Sequence, residues 1–178
     1  MLGEMISREH SYMVRLLVVL DEKLKNLQQD KEINYHIVHD VITYLQSHSE
    51  HTHHPKEDII YHYYMQHYGN VSTIANLAKE HKILAKVTQD FAELIDMVLQ
   101  DAIVPKDVFI RQLDHFIHEQ KRHLDFEERE ILPKLKREFS LQDWKEVEAL
   151  WGEEVNDPLF GQDIEKEYYR LSEYINKS

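Results

Sequence analysis

The sequence has 178 residues, a formal net charge of −12 and no cysteine. The missing thiols exclude disulfides, zinc–thiolate sites, iron–sulfur ligation and thiol catalysis, and the negative charge disfavours nucleic acid and anionic lipid as partners. No apolar run approaches the roughly 20 residues that cross a bilayer, and the chain does not open with a basic segment followed by an apolar run. We therefore expect a cytoplasmic protein without membrane contact.

The composition and its periodicity predict an all-α fold. Strong helix formers dominate, only four glycines and four prolines interrupt the chain, and β-branched residues form no alternating runs. Apolar residues at helical spacing predict four long helices and two short ones, over about residues 7–27, 34–67, 72–99, 105–135, 141–151 and 162–175. We therefore expect an up-down-up-down four-helix bundle over residues 1–139, with a helical extension, residues 140–178, packed on it.

Pro55 lies inside the second predicted helix. A proline in a helix interior removes one backbone donor, and its ring clashes with the carbonyl four residues earlier. Because the apolar pattern resumes in phase beyond this proline, we expect a kink over residues 51–55 and not a break in the helix.

Two His-x-x-x-Glu pairs lie on the inward stripes of the second and fourth predicted helices. They are His53 with Glu57, and His123 with Glu127. Residues four apart on a helix stand one turn apart on the same face. The imidazole and the carboxylate of each pair can therefore reach one metal ion.

Each of the other two long helices carries a histidine on its inward stripe, His10 and His81. In an up-down bundle, residues on successive helices lie level when the intervening turn falls halfway between them. The midpoint of positions 10 and 53 is 31–32, that of 53 and 81 is 67, and that of 81 and 123 is 102; all three fall at or next to predicted turns. The four histidines and the two glutamates are therefore expected to share one level of the bundle core.

Six polar side chains at one level of a core indicate bound metal. A polar group buried without a partner costs about 2–7 kcal/mol, an ionised carboxylate costs more, and a pair of divalent or trivalent cations would offset that cost. Imidazoles and carboxylates without sulfur suit iron or manganese. Two carboxylates that bridge two metals, with two histidines on each metal, would leave positions open for a small diatomic molecule or peroxide. The expected metal ligands are His10, His53, Glu57, His81, His123 and Glu127.

Other histidines have simpler interpretations. A single buried histidine is more often a hydrogen-bonded core residue than a ligand, and a lone His-x-x-x-Glu is usually a surface pair. His115 and Glu119 form a third such pair, but this pair lies about 80° around the fourth helix from the inward stripe, so we exclude it. His54 and Asp58 lie one step off the inward stripe and are expected to flank the site.

At these motifs the sequence resembles the bacterial hemerythrin-like proteins with an HHE cation-binding domain. The matching segments, within about residues 5–137, are REH at 8–10, HHPKED at 53–58, KEH at 79–81, HLDFEE at 123–128 and ILP at 131–133. DPLFG at 157–161 is similar to a C-terminal extension that some members carry. The resemblance implies a hemerythrin-like bundle with two iron ions, oxo- or hydroxo-bridged, for which manganese or zinc could substitute. It also implies the same ligands, with four histidines and two bridging glutamates.

The sequence departs at two points from the oxygen-carrying hemerythrins of invertebrates. Those proteins have a fifth histidine four residues before the third helix's ligand, where this chain has Leu77, and their fourth helix uses a histidine and a more distant aspartate. These departures argue against reversible oxygen carriage. The closer resemblance is to the branch that includes the iron-centre repair proteins linked to nitric oxide stress. Some of those carry an N-terminal cysteine-bearing segment, whereas this sequence has no cysteine.

The expected function is that of a non-haem di-iron protein that binds or reacts with O2, NO or peroxide, in sensing or in the response to oxidative or nitrosative stress. The alternative is a protein that stores iron or donates it for the repair of iron centres. A ferritin-like oxidase is disfavoured because that architecture needs Glu-x-x-His on two helices, and the sequence has it once, at Glu50 and His53. A helical interaction module with a polar core and no metal is the remaining alternative. The oligomeric state, monomer or dimer, stays open.

Overall fold

The computed structural model describes residues 2–177, and every regular element within them is a helix. This confirms the all-α prediction. Four long helices are α1 (Leu2–Gln28), α2 (residues 35–68), α3 (Ser72–Leu99) and α4 (residues 106–138); two short ones are α5 (Leu141–Trp151) and α6 (Tyr169–Lys177), the latter preceded by a 3-10 turn over Lys166–Tyr168. In this part of the chain, no helix combines the length and the apolar character that crossing a membrane requires.

Helices α2 and α4 each contain a π-helical segment. Helix α2 consists of the α-helical Tyr35–Tyr44, the π-helical Leu45–His53 and the α-helical His54–Tyr68; the corresponding parts of α4 are Lys106–Phe126, Glu127–Ile131 and Leu132–Glu138. In both helices a proline, Pro55 or Pro133, is the second residue after the π segment. The π segments therefore mark equivalent places in two long helices.

The π segments explain how α2 and α4 continue through their prolines. A π turn joins residues five apart, as in the bond from the amide of His54 to the carbonyl of Ser49 and that from Leu132 to Glu127. The wider turn relieves the clash between a proline ring and the carbonyl four residues earlier. Helix α2 thus passes Pro55 without a break, as predicted.

Helix α1 begins at Leu2, one turn before the start that the apolar stripe predicts. Leu2 and Ile6 are buried in an apolar cluster with side chains from the end of α4. Gly3 lies close to the same region, because a Cβ at this position would meet Lys136 Cε at 3.2 Å and Trp144 Cη2 at 3.6 Å. Contacts with distant segments therefore stabilise the first turn.

The long helices enclose two apolar clusters with polar residues between them. Helix α1 packs against α4 and α2, α2 packs against α3, and α3 packs against α4, so each long helix turns one face to a common interior. One cluster is larger than the other. Along α1, the last buried residue of the smaller cluster is Ile6 and the first of the larger cluster is Met13. Along α2, the last buried residue of the larger cluster is Leu45 and the first of the smaller cluster is Ile60. The candidate ligands of both helices lie in these gaps.

Helix α5 covers the second half of α2. Ser140 and Asp143 form a capping box at its N-terminus, in which each side chain accepts the other residue's backbone N–H. Val147 is buried in the smaller apolar cluster, and Trp151 Nε1 donates to the carbonyl of Lys56 at 3.2 Å. The C-terminal segment thus shares a core with the long helices.

Residues 162–165 are not helical, which corrects the predicted start of the last helix; the 3-10 turn begins at Lys166. The cause is a tight turn upstream, in which Asp157 Oδ1 accepts the N–H groups of Leu159 and Phe160, both at 2.9 Å. A Cβ on Gly161 would lie 2.4 Å from the carbonyl oxygen of Asp157. Only glycine fits at this position, and the chain then bends over residues 161–163 before the 3-10 turn begins.

Candidate metal centre

The structure brings the six predicted ligands into one buried group, here called the polar layer. Helix α1 supplies one histidine, α3 one, and α2 and α4 one His-x-x-x-Glu pair each: His10, His81, His53 with Glu57, and His123 with Glu127. Both glutamates are 0% exposed, and the most exposed member, His81, is 5% exposed. Donors buried to this degree need partners inside the protein.

Glu57 lies close to histidines of three helices. Its Oε2 is 3.0 Å from Nε2 of His10. Its Oε1 is 3.1 Å from Nε2 of His53 and 3.5 Å from Nε2 of His81. One carboxylate thus reaches several imidazoles at once, as a bridging ligand does.

Glu127 makes the corresponding contacts from α4. Its Oε2 is 3.2 Å from Nε2 of His10, and its Oε1 is 3.4 Å from Nε2 of His81 and 3.1 Å from Nε2 of His123. The Nε2 atoms of His81 and His123 are 3.1 Å apart, and the rings of His10 and His53 have centroids 4.9 Å apart. The polar layer therefore contains two pairs of histidines with two carboxylates between them.

A second set of acidic residues, the outer carboxylates, holds the outward nitrogen of every histidine. Nδ1 donates in each case, and the pairs are His10 with Glu128 (2.7 Å), His81 with Asp58 (2.8 Å), His123 with Glu80 (3.0 Å) and His53 with Glu9. Because the outer carboxylate keeps the proton on Nδ1, the nitrogen that gives up its proton to a metal ion is Nε2, whose lone pair then points into the polar layer. A metal-binding histidine needs this tautomer, and such carboxylate–histidine pairs accompany most metal sites.

The four outer contacts form a closed cycle around the helices. The carboxylate of α1 binds the histidine of α2, that of α2 binds α3, that of α3 binds α4, and that of α4 binds α1. On α1 and α3 the outer carboxylate directly precedes the histidine of the polar layer. On α2 and α4 it directly follows the glutamate of the polar layer. Every helix thus orients a ligand of the next one.

His54 is buried beside the polar layer, at 6% exposure. Its ring stacks on that of His81, with centroids 4.1 Å apart and planes inclined by 8°, and one of its nitrogens lies within 4.8 Å of nitrogens of His81 and His123. An imidazole binds a metal ion in the plane of its ring, and two stacked parallel planes cannot contain the same ion. His54 therefore packs against His81 and fixes its ring, at the flanking position that the sequence predicts.

Tyr61 adds a hydrogen-bond donor to the polar layer. Its side chain is 1% exposed, and its hydroxyl donates to Glu127 Oε1 at 2.8 Å and lies 3.5 Å from Glu57 Oε2. Burial, followed by the charges of Glu127 and Glu57, raises the pKa of Tyr61 well above its usual value. The phenol therefore stays protonated and acts as a donor.

The charges of the polar layer depend on one another. Burial lowers the pKa of His53 and His81, but the surrounding carboxylates outweigh it and raise the two pKa values to about 9 and about 10. Burial and Glu127 raise the pKa of Glu57, yet the neighbouring histidines hold it at about 2. The pKa of His10 is likewise raised and that of Glu127 lowered. Protons thus balance the buried carboxylates, and a bound cation would displace them.

Three atoms of the polar layer test whether a cation fits. Nε2 of His53, Oε1 of Glu57 and Oε2 of Glu127 are buried and make no hydrogen bond within residues 2–177. The first two are 3.1 Å apart but are not aligned for a hydrogen bond. Each unsatisfied group costs about 1–3 kcal/mol, and coordination to a cation would satisfy all three. Imidazole nitrogens and carboxylate oxygens suit iron, manganese or zinc, so the residues fit a metal centre.

Two further groups of residues concern the sequence prediction: a His-x-x-x-Glu pair that it excludes from the metal site, and the outer carboxylates that it does not identify. His115 is exposed, and Glu119 pairs with Arg122 at 3.2 Å, away from the polar layer. Glu9, Glu80 and Glu128 lie within the segments REH, KEH and FEE, but the inward stripe does not single them out. The available signal is their position next to a candidate ligand. A neighbour rotated by about 100° lies at the contact between two helices and can reach only the next helix.

Comparison with known families supports the metal centre. The family model described as hemerythrin HHE cation binding domain matches residues 1–135, which is most of the 178 residues. Comparisons with curated proteins and with solved structures found no match. The matched segment contains the whole polar layer and all four outer carboxylates. The chain therefore belongs to the hemerythrin family, as a protein with an HHE cation-binding domain.

Proposed function

We propose that this chain is a non-haem di-iron protein. His10 and His53 would hold one iron ion, His81 and His123 would hold the other, and Glu57 and Glu127 would be shared between the two. The observation that carries this proposal is the sharing of two buried carboxylates by two histidine pairs. Each glutamate lies within 3.5 Å of three imidazoles, and a set of donors that are close to one another but only partly hydrogen-bonded suits two cations better than one.

The proposal includes an up-down-up-down bundle over residues 1–139, on which residues 140–178 pack. The outer carboxylates support the alternating directions. Successive residues of a helix are rotated by about 100°. Seen along the bundle axis, the residue before a ligand on an ascending helix is therefore rotated in the same sense as the residue after a ligand on a descending helix. The outer carboxylates alternate in this way along the chain, and each reaches the next helix of the ring. Parallel neighbours would direct alternate carboxylates in opposite senses and would not close the cycle.

The ligand that we propose is O2, NO or peroxide, and the role is sensing or the response to oxidative or nitrosative stress. Bound iron would supply Lewis acidity and one-electron chemistry for such molecules. The protein contributes a site that excludes bulk water between two apolar clusters. It also contributes fixed imidazoles and a phenol donor, that of Tyr61, directed at the bridging carboxylates. These features support binding of small molecules and provide no protein nucleophile.

The first test is elemental analysis and ultraviolet–visible spectroscopy of aerobically purified protein. We expect two iron ions per chain and an iron charge-transfer absorption that azide or NO alters. A protein that binds no iron, or one ion only, would contradict the di-iron proposal. Iron that passes readily to an acceptor lacking its metal, with no spectral response to azide or NO, would instead identify a protein that stores or donates iron.

A pair of double variants tests the ligand assignment. His123→Ala with Glu127→Ala removes one His-x-x-x-Glu pair from the polar layer, and we expect it to lower the metal content below two ions per chain. His115→Ala with Glu119→Ala is the matched control, because it removes the same residue types at the same spacing from the same helix, at a pair outside the polar layer. Equal metal content in both variants would show that the assigned ligands are wrong.

A further inference from the structure

A cavity of about 190 Å³ lies between α2 and α3, next to the polar layer. It reaches His81, the most exposed of the six proposed ligands at 5%, whereas the other five are at most 1% exposed. His54, which packs on His81, forms another part of its wall. The polar layer is therefore closest to solvent at this point.

A second cavity, of about 490 Å³, adjoins the first. The two have Asp58, Ala78 and Lys82 in common. The second cavity also reaches Tyr61, whose hydroxyl donates to Glu127. Both cavities thus approach the polar layer from the same side of the protein, and Ala78 stands where they meet.

The smaller cavity has a polar wall. Oε1 of Glu50 is buried and makes no hydrogen bond in the part of the chain that the structure describes. A buried oxygen of this kind needs a partner, and 190 Å³ has room for roughly six waters at about 30 Å³ each. Sites for organic ligands are larger, at about 300–1,000 Å³. The cavity therefore suits water and molecules of a few atoms.

We propose that small ligands reach the metal centre through these two cavities, past Ala78, and that the volume of the smaller cavity, about 190 Å³, limits them to molecules of a few heavy atoms. This inference rests on the proposed function and names the route to the same site. It follows from the joint position of the cavities, the greater exposure of His81 and the unpaired oxygen of Glu50. Ala78 and Ala85 are not among the proposed metal ligands, so the route can be altered while all six metal ligands are kept.

Ala78→Leu tests the route, because it fills the junction with a larger side chain and leaves every proposed ligand in place. The probe is azide mixed with the iron-loaded protein in stopped-flow measurements. We expect the association and the dissociation rate to fall together by about tenfold, with the Kd unchanged, because an obstructed passage slows both directions equally. Ala85→Leu, at the wall of the smaller cavity, provides a second variant with the same expectation.

Ala75→Leu is the matched control, because Ala75 is half-buried on the same helix and lines neither cavity. Its rates should equal those of the unaltered protein. Unchanged rates in Ala78→Leu and Ala85→Leu would overturn the inference. So would a weaker Kd with an unchanged dissociation rate, since that pattern indicates altered binding and not altered access.

A measurement without iron separates the route from the proposed function. Dissolved O2 is paramagnetic and accelerates the NMR relaxation of the methyl groups that it reaches in zinc-loaded or metal-free protein. We expect larger effects at Ala78 and Ala85 than at Ala92, which is half-buried against the larger apolar cluster. Equal effects would overturn the route. Selective effects in a protein that fails to bind azide would support the route and contradict the proposed ligand binding.

Discussion

The outer carboxylates predict that metal affinity depends on residues that bind no metal, and Glu80 provides the clearest test. Its Oε2 accepts the Nδ1–H of His123 at 3.0 Å, and its Oε1 lies 3.5 Å from the guanidinium of Arg122. The side chain is 27% exposed. Glu80→Gln keeps the length of the side chain and one acceptor oxygen, but it removes the charge that favours the metal-binding tautomer of His123.

The magnitude follows from the role of the partner. Loss of such a hydrogen-bonded partner costs about 10–100-fold in metal affinity, which corresponds to about 1.4–2.7 kcal/mol. Because glutamine retains an acceptor, we expect about a tenfold weaker Kd for Glu80→Gln and a value nearer 100-fold for Glu80→Ala. At a fixed excess of metal, a tenfold weaker Kd also removes about 1.4 kcal/mol of the stability that metal binding adds.

Glu119→Gln is the matched control. Glu119 is 22% exposed, and its Oε2 contacts the same guanidinium, that of Arg122, at 3.2 Å. Among the described residues it makes no hydrogen bond or ion pair with an imidazole. The Kd of each variant for Zn²⁺ or Fe²⁺ is measured by competition with a chelator of known affinity. Equal metal affinity of Glu80→Gln and Glu119→Gln would contradict this role of Glu80, because the outer charge would then have no specific effect.

Three further predictions concern residues around the polar layer and in the C-terminal segment. Tyr61→Phe removes a hydrogen bond to Glu127 and should lower the free energy of unfolding by about 1 kcal/mol in urea denaturation, while both metal ions remain; loss of both ions would contradict this role. Leu113 is 0% exposed, so Leu113→Ala should lower the free energy of unfolding by about 2–5 kcal/mol without changing the metal content. An unchanged free energy of unfolding would contradict this prediction. Gly161→Ala places a Cβ 2.4 Å from the carbonyl oxygen of Asp157 and should speed proteolysis after residue 156, whereas equal cleavage rates would show that the turn can adjust.

The sequence predicts a large part of the fold and of the candidate site because the helices are long and regular. A helix rises by a constant amount per residue, so turn positions alone place side chains of different helices at the same level. The predicted bounds of α3 and α5 agree with Ser72–Leu99 and Leu141–Trp151. The first turn of α1 is different. Its residue Leu2 lies four residues before Ile6, and it is buried in a cluster with side chains from distant segments, which the spacing alone does not show.

The direction of each outer contact is also a tertiary property. Glu9 and His10 are adjacent in sequence, but their side chains are rotated by about 100° from each other, so Glu9 cannot orient its own neighbour. It binds His53 on α2 instead. Which helix lies beside α1 depends on the order of helices around the bundle. A residue list can therefore identify the carboxylates at helix contacts, whereas their partners follow only from the packing.

The spacing of buried residues in the sequence contains enough information to predict the π segments, although the apolar stripe alone predicts only a kink. Leu45, Ser49 and His53 are buried and lie at successive steps of four residues, and the π segment spans these positions. In an α-helix each such step passes a full turn by about 40°, so two steps would turn the stripe by about 80° away from the interior. A π segment has more residues per turn and keeps all three inside. The segment of α4 spans the step from Glu127 to Ile131 in the same way. Repeated steps of four followed by a proline therefore predict a π segment, and here one such segment ends and the other begins at a residue of the polar layer.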